Sequence, residues 1–276
     1  ILLLGILLFF IIQSPCQAVE KPILIGSTVS LEGKYTETSH MIQNGYKLWV
    51  EQINQKGGLL GRPVKLVLYD DKSQKSRVGS LYEKMIVDDQ VDLTLSPYGT
   101  PLTTVASEVT EKHHYVMLAC AAAGEQIWDR GYKYVFGVYA LADRYFIGFQ
   151  DLMARNGFDS LGIIYENTNF NISIAKGVRK WAERFNLNVT YDQDFGEAGK
   201  ELPLILKQVM EKNMDGLIFS GYPPECYSFI DLMEKAQYRP RFLAFTIVPI
   251  HPFFYENVGV FAENVFAPSQ WEPDER

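Results

Sequence analysis

Short apolar segments alternate with longer amphipathic segments along nearly the whole chain, and this alternation restricts the possible folds more than any other feature. Residues 160–165 (SLGIIY) form one apolar segment, of the kind found in strands buried on both faces of a sheet. Residues 37–56 carry Met41, Leu48 and Ile53 at helical spacing and end before two glycines. Strands separated by helices form βαβ units, so the alternation predicts an α/β fold with parallel sheets.

The pattern predicts about ten strands, more than one compact parallel sheet usually holds. The segment near residues 120–140 lacks a clean helical pattern, so we interpret it as a crossover between two doubly wound lobes joined by a hinge. We predict a first lobe at residues 19–138, a second lobe at 139–264, and a crossing back toward the first lobe at 265–276. The predicted strands are residues 22–29, 63–69, 91–95, 115–120, 134–138, 160–165, 188–194, 216–220, 242–246 and 264–267. The predicted helices are residues 37–56, 75–89, 101–113, 141–156, 171–186, 200–213 and 224–237.

The first 18 residues read as an export signal. Residues 1–12 (ILLLGILLFFII) are shorter than the ~20 apolar residues of a spanning helix and fit the core of a secretory signal. We predict cleavage after Ala18 and a periplasmic or extracytoplasmic location. Cys16 leaves a lipid anchor open, although Pro15 before it fits a lipid-attachment motif poorly.

Charge and motif content exclude several classes of function. The chain has 26 basic and 33 acidic residues, a net charge of −7, which argues against nucleic acid as a partner. It has no G-x-S-x-G elbow, and Gly33-Lys34 lacks the other residues of a phosphate-binding loop. None of its four histidines has the spacing of metal ligands. We therefore predict no catalytic residues, no metal and no cofactor.

Polar and small residues follow many of the predicted strands. In open α/β sheets, ligands bind beyond the carboxyl ends of the strands. Ser, Thr, Tyr, Asn and Gly are frequent there, which predicts a small polar ligand held by hydroxyl and backbone groups. The segments concerned are residues 28–38, 96–100, 119–124, 166–171, 220–224 and 246–249.

Several segments also carry the pattern of a known family. Residues 53–64 (INQKGGLLGRPV) are the most specific, and residues 68–71 (LYDD), 221–225 (GYPPE) and 268–271 (PSQW) also match. On these segments the chain resembles type I periplasmic solute-binding proteins of the leucine/isoleucine/valine-binding branch, which serve ABC transporters. The resemblance implies a chain that crosses three times between two lobes. We expect the given sequence to stop just after the second crossing, so that the end of the first lobe lies beyond Arg276.

The resemblance implies ligand-binding residues on the first lobe. Thr100 falls on the hydroxyl position that grips the ligand's carboxylate, and Tyr98 lies in the same strand end. Ala121 falls on a backbone-contact position, and Ala123 replaces a residue with a hydroxyl group. Thr38 stands where the family has an aromatic residue.

The resemblance also implies residues on the second lobe. Phe170 falls on a tyrosine position, and Tyr222 keeps the family's tyrosine. Thr246 falls where the family commonly has an acid that pairs with the ligand's ammonium. Either another acid, such as Glu32 or Glu225, supplies that partner, or the ligand has no ammonium. The second case fits an aromatic or aliphatic carboxylate or an amide.

Three functions remain open at this stage. The first is an extracytoplasmic solute-binding protein that captures an amino acid or related small molecule and delivers it to the permease subunits of an ABC transporter. The second is a ligand-sensing ectodomain of a membrane receptor, which shares the fold. The third, an exported enzyme, requires a nucleophile–base pair or a metal at the strand ends, and the sequence offers neither.

Overall fold

The structure is a computed structural model that describes residues 21–196 and 198–270. The predicted signal segment, residues 1–18, lies outside the described residues, and so does Trp271 of the family pattern. Among the described residues, no helix is both long and apolar enough to cross a membrane.

The described chain forms two five-stranded sheets, and every pairing between strands is parallel. The first sheet has the order β2-β1-β3-β4-β5 and the second β10-β9-β8-β6-β7. The first lobe contains β1 (Ile23–Val29), α1 (Thr36–Gln55), β2 (Val64–Asp70), α2 (Lys75–Val87), β3 (Leu93–Leu95), α3 (Thr100–Lys112), β4 (Met117–Ala119) and β5 (Val135–Gly137). The second contains α4 (Ile147–Arg155), β6 (Ser160–Glu166), α5 (Asn169–Phe185), β7 (Asn188–Phe195), α6 (Leu202–Lys212), β8 (Gly216–Ser220), α7 (Pro223–Lys235), β9 (Phe242–Phe245), α8 (Phe254–Val258) and β10 (Val265–Phe266). The predicted fold class, two doubly wound parallel-sheet lobes, is confirmed.

The boundaries of the lobes at residues 138 and 264 stay predictions. The last described strand, β10, pairs with β9, so the chain remains in the second sheet as far as Phe266. One cluster of buried apolar side chains contains residues of both lobes, among them Tyr98 and Tyr222, and another lies within the second lobe.

Two local expectations differ from the structure. The predicted helix 141–156 is a 3-10 turn, Ala142–Arg144, followed by the shorter helix α4. The carbonyl of Asp143 accepts a hydrogen bond from Trp181 Nε1 at 3.0 Å, so a tertiary contact fixes this turn. The five-residue helix α8 was not predicted, because a single turn shows no helical periodicity.

The core of the second lobe explains why its strands read as continuous apolar runs. All five residues of β8 are buried, since α-helices cover both faces of the parallel sheet. The ring of Phe219 on β8 stacks against Phe195 and Phe229, with centroids 5.3 and 4.6 Å apart. Burying one such side chain contributes about 1.5–3 kcal/mol, so this stack anchors the strand ends that form the site.

Candidate functional site

A cavity of about 60 Å³ lies between the lobes, beyond the carboxyl ends of strands from both sheets. Its position agrees with the crevice in which open α/β sheets hold ligands. Six of the seven predicted site residues border it: Tyr98, Thr100, Ala121, Ala123, Phe170 and Tyr222. Its other lining residues are Thr38, Gly99, Tyr139, Tyr145, Ile247, Ile250, Pro268 and Gln270.

A larger hollow of about 370 Å³ lies elsewhere, on one face of the first sheet. Trp49, Leu118 and other almost entirely apolar side chains line it. It lies against the face of the sheet at strands β1, β3 and β4, away from the carboxyl ends of the strands. It has almost no polar group that could orient a ligand. The smaller cavity between the lobes is therefore the candidate site.

Thr100 supplies a hydroxyl donor to the cavity. It is the first residue of α3, and Gly99 before it has a φ of 81°, which turns the chain sharply from β3 into the helix. Thr100 Oγ1 accepts hydrogen bonds from the backbone N–H groups of Gly124 at 3.0 Å and Ala123 at 3.3 Å. Both acceptor sites of the hydroxyl are thereby used, so its hydrogen is left to donate. The adjacent helix N-terminus adds a partial positive charge.

Ala121 and Ala123 form the apolar part of the same wall. The carbonyl of Ala121 accepts the N–H of Gly99 at 2.9 Å. The N–H of Ala123 bonds to Thr100, and its carbonyl accepts the N–H of Ala142 at 2.9 Å. Ala123 therefore presents a methyl group to the cavity, and its backbone groups are already used.

Aromatic rings form the opposite wall. The ring of Tyr222 lies 6.4 Å from that of Tyr98 and 6.0 Å from that of Phe170, and Tyr145 packs edge-on against Phe170 at 5.8 Å. Burial raises the pKa values of Tyr98, Tyr139 and Tyr145, so these phenols stay neutral near pH 7. The wall suits an apolar ligand body and carries no charge.

Tyr222 has the most informative polar atom of this wall. It precedes α7 and is 1% exposed, yet its hydroxyl has no hydrogen-bond partner among the described residues. The hydroxyl points toward Gly99 of the first lobe. Burial, and then the neighbouring phenols of Tyr35 and Tyr98, raise the pKa of Tyr222 and outweigh the opposite effect of the nearby Thr168 side chain, so the hydroxyl stays protonated and can donate a hydrogen bond. A buried hydroxyl without a partner is costly, and a ligand atom in the cavity would satisfy it.

Thr246 does not border the cavity. It is fully buried after β9, where its hydroxyl donates to the carbonyl of Gly221 at 2.8 Å and accepts the N–H of the same residue at 3.1 Å. The residue after it, Ile247, lines the cavity instead, with a φ of 47° that is rare for a β-branched residue. Position 246 thus ties β9 to the start of α7, and an apolar side chain takes the place at the wall.

Two carboxylates beside the cavity are held by a lysine from the opposite lobe. Lys34 Nζ lies 3.0 Å from Glu225 Oε1 and also bonds to Glu166 Oε1. The same ammonium lies 5.1 Å from the centroid of the Tyr222 ring. We name Lys34, Glu166 and Glu225 the lysine clamp. Glu32, the other acid considered as an ammonium partner, pairs with Lys72 and has an exposed side chain.

A second contact joins the lobes at the cavity mouth. His251, which follows β9, is 4% exposed and approaches two residues of α1. Its Nε2 lies 3.2 Å from Thr38 Oγ1, and its Nδ1 lies 2.8 Å from Glu37 Oε1. Together with the lysine clamp, this contact holds the two lobes against each other around the cavity.

Sequence reasoning missed Lys34, Tyr139, Tyr145 and Gln270 as neighbours of the site. Lys34 lies in the loop after β1, a strand end that had been expected to face the ligand, but nothing local identified its partners. Tyr139 and Tyr145 lie in the segment between β5 and α4, where the chain passes from the first lobe to the second. Within the described ranges 21–196 and 198–270, no group of three or more His, Cys, Asp or Glu side chains could hold a metal ion.

The fold and the cleft define the class of the molecule, a two-lobed α/β protein with a small site between its lobes. A family model for periplasmic binding proteins matches residues 22–276. The chain therefore belongs to the periplasmic binding protein family, and the resemblance drawn from residues 53–64 is confirmed.

The chain is similar to several known proteins. The Leu/Ile/Val-binding protein of Escherichia coli K12 is 20% identical over 227 residues, which are 82% of this chain and 62% of the relative. A branched-chain amino acid transporter substrate-binding protein from Streptococcus pneumoniae, solved with isoleucine, is 18% identical with a TM-score of 0.78, covering 90% of this chain and 70% of that one. A solute-binding protein of an ABC transporter from R. palustris, solved with benzoate, is 17% identical with a TM-score of 0.72, covering 82% and 62%.

The chain spans 62% of the length of the Escherichia coli relative and 57% of a related binding protein from Pseudomonas aeruginosa. These relatives are named as binding proteins, and they give no support to the receptor alternative. At these identities the solved structures establish the fold alone.

Proposed function

We propose that this protein is an extracytoplasmic solute-binding protein that captures a small polar ligand between its lobes and delivers it to an ABC transporter. The ligand is an amino acid or a related small carboxylate or amide. The protein carries out no covalent chemistry and works without a cofactor. Its partners are the ligand and the permease subunits of the transporter, and its place is the periplasm or an equivalent extracytoplasmic space.

One observation carries the proposal. Two hydroxyl donors from opposite lobes, Thr100 and Tyr222, border one small cavity whose remaining surface is mainly apolar. A few polar groups that fix orientation inside an apolar enclosure are typical of ligand sites for small molecules. The names of the relatives, which bind branched-chain amino acids or benzoate, agree with a ligand of this size and kind.

The same geometry supports capture by closure of the lobes. The first lobe contributes Thr100 to the cavity and the second lobe contributes Tyr222. A ligand that binds both hydroxyls therefore connects the two lobes. The lysine clamp and the contact between His251 and Glu37 favour the closed arrangement. Hinge closure around a ligand is a known type of transition, and the closed form would be the one that a permease recognises.

A thermal-shift screen of the purified full-length protein tests this function. The panel contains leucine, isoleucine, valine and phenylalanine, the ammonium-free carboxylates 4-methylpentanoate, 3-phenylpropanoate and benzoate, and the amides of these three carboxylates. A ligand at 100 times its dissociation constant adds about 2.7 kcal/mol to the free energy of unfolding, which gives a clear rise in Tm. A rise with at least one compound, confirmed by calorimetric titration, supports the proposal. No rise with any of them contradicts it.

A further inference from the structure

The charge around the cavity limits the kind of ligand. None of the described residues that border it is Asp, Glu, Lys, Arg or His. An ammonium group buried there would have no charged partner and would lose its hydration, which costs several kcal/mol. The cavity wall itself therefore disfavours a zwitterionic amino acid.

Two buried carboxylates of the second lobe share one cation that the protein itself supplies. Lys34 reaches across from the first lobe and binds Glu225 and Glu166 of the second. The side chain of Glu166 is fully buried and that of Glu225 nearly so, hence a cation beside them is strongly favoured. Lys34 Nζ lies 5.1 Å from the centroid of the Tyr222 ring, which borders the cavity, so the carboxylates next to this part of the wall already have a cation.

The donors that face the cavity favour an anion. The hydroxyl hydrogen of Thr100 and the unpartnered hydroxyl of Tyr222 converge from the two lobes, and the N-terminus of the 13-residue helix α3 lies beside Thr100. Hydrogen bonds from such donors are stronger to a carboxylate than to a neutral oxygen. A single anionic group would satisfy all three features at once.

We infer that the site selects small carboxylates that have an apolar body and no ammonium group, and that Lys34 enforces this choice by occupying Glu166 and Glu225. The inference rests on the proposed function and narrows its ligand to one chemical class. The aromatic and methyl surface of the cavity receives the apolar body, and the two hydroxyls receive the carboxylate.

Matched pairs of ligands test the selection. Calorimetric titration of the full-length protein compares leucine with 4-methylpentanoate, and phenylalanine with 3-phenylpropanoate. The inference predicts that the compound without the ammonium binds about tenfold or more tightly in at least one pair, because no buried charge is left unpaired. Tighter binding of the amino acids in both pairs overturns the inference and leaves the proposed function intact. If neither member of either pair binds, the carboxylate-binding function itself fails, and the inference fails with it.

The amide 4-methylpentanamide tests the preference for an anion. It has the shape of 4-methylpentanoate but no negative charge. Weaker binding of the amide supports selection by the donors at Thr100 and Tyr222. Equal or tighter binding overturns the choice of a carboxylate.

The variant Lys34→Met tests the role of the clamp. The substitution removes the Lys34 cation from the two carboxylates, so the affinity for leucine relative to 4-methylpentanoate should rise by about tenfold or more. Lys180→Met is the matched control, because Lys180 forms an exposed ion pair with Asp143 on the second lobe and should leave the ratio unchanged. An unchanged ratio in Lys34→Met overturns the role of Lys34. The comparison of ligands in the unmodified protein stands even where the variant folds poorly.

Discussion

Among single residues, Tyr222 gives the strongest indication of a ligand, because its hydroxyl is buried beside the cavity. It is buried and has no hydrogen-bond partner among residues 21–196 and 198–270, an arrangement that costs about 1–3 kcal/mol if nothing binds it. Most buried hydroxyl groups in proteins are satisfied, so such an exception calls for an explanation. A ligand in the adjoining cavity provides one.

Tyr222→Phe should separate binding from stability. Removing the unpartnered hydroxyl should leave the free energy of unfolding unchanged or raise it by up to about 1 kcal/mol, while ligand affinity falls about tenfold. Tyr238→Phe is the control, because its hydroxyl is also buried without a partner but does not border the cavity. Chemical denaturation and calorimetric titration measure the two quantities. Unchanged affinity in Tyr222→Phe would show that the hydroxyl does not contact the ligand.

Thr100→Val should weaken ligand binding and, unlike Tyr222→Phe, should also destabilise the protein. The substitution removes the donor to the ligand and also the acceptor for the N–H groups of Ala123 and Gly124. We expect about a tenfold loss of affinity and a loss of about 1–2 kcal/mol of stability. Thr104→Val lies on the same helix, away from the cavity, and should retain affinity. Full affinity in Thr100→Val would exclude its hydroxyl from the site.

The sequence predicted which segments lie at the site better than it predicted which side chains face the cavity. The segment Ser96–Thr100 was expected at the ligand edge, and Tyr98 and Thr100 border the cavity. Thr246 was expected there too, but the chain places Ile247 at the wall and turns the Thr246 hydroxyl onto Gly221. A left-handed φ at Ile247 causes this shift by one residue, and no local sequence pattern predicts it in a β-branched residue.

At the scale of elements, close approaches of the backbone determine how the cleft is assembled. Helix α5 packs against the turn Ala142–Arg144 so closely that a Cβ added at Gly177 would lie 2.1 Å from the carbonyl oxygen of Asp143. This contact positions α5, whose first turn carries Phe170 of the cavity wall. The absence of a side chain at Gly177 is therefore a packing requirement.

Gly177→Ala should destabilise the protein by about 1–3 kcal/mol, because the clash is with backbone that cannot swing away. Gly45→Ala provides the control within α1, where an added Cβ meets nothing within 4 Å. It should raise the free energy of unfolding by about 0.5–1 kcal/mol through helix propensity. Urea denaturation compares the two. An equal response of both positions would contradict the close packing of α5.

The order of strands and helices was predictable because periodicity and glycine punctuation are local signals. Strands such as β6 and β8 agree with their predicted ranges almost residue for residue. The 3-10 turn at Ala142–Arg144 was not predictable, since its form depends on Trp181, which is 38 residues further along the chain. Tertiary contacts of this kind override local helical pattern.

At the scale of the whole molecule, two lobes meet around one cavity. The lysine clamp joins residues 132 and 191 positions apart, so no spacing rule in the sequence could have linked them. The sequence nevertheless predicted the two-lobed fold and the family, because the motif at residues 53–64 and the strand–helix alternation extend over a long stretch of chain. The sequence did not predict the charge around the site, because that charge depends on the ion pairs of Lys34 with Glu166 and Glu225.

Removing Lys34 should change the arrangement of the two lobes relative to each other. Because Lys34 bridges buried carboxylates across the cleft, Lys34→Met should favour an open arrangement in the absence of ligand. Small-angle X-ray scattering of the ligand-free protein should then give a larger radius of gyration than the unmodified protein or Lys180→Met. Identical scattering in all three would contradict a closing role for the clamp.

A crystal structure of the full-length protein grown with its tightest carboxylate ligand would show whether the cavity between the lobes holds that carboxylate. We expect density for the ligand between the lobes, with its carboxylate within hydrogen-bonding distance of Thr100 Oγ1 and the Tyr222 hydroxyl, and with Lys34 still bound to Glu166 and Glu225. A ligand bound elsewhere, or one whose carboxylate contacts neither hydroxyl, would contradict it.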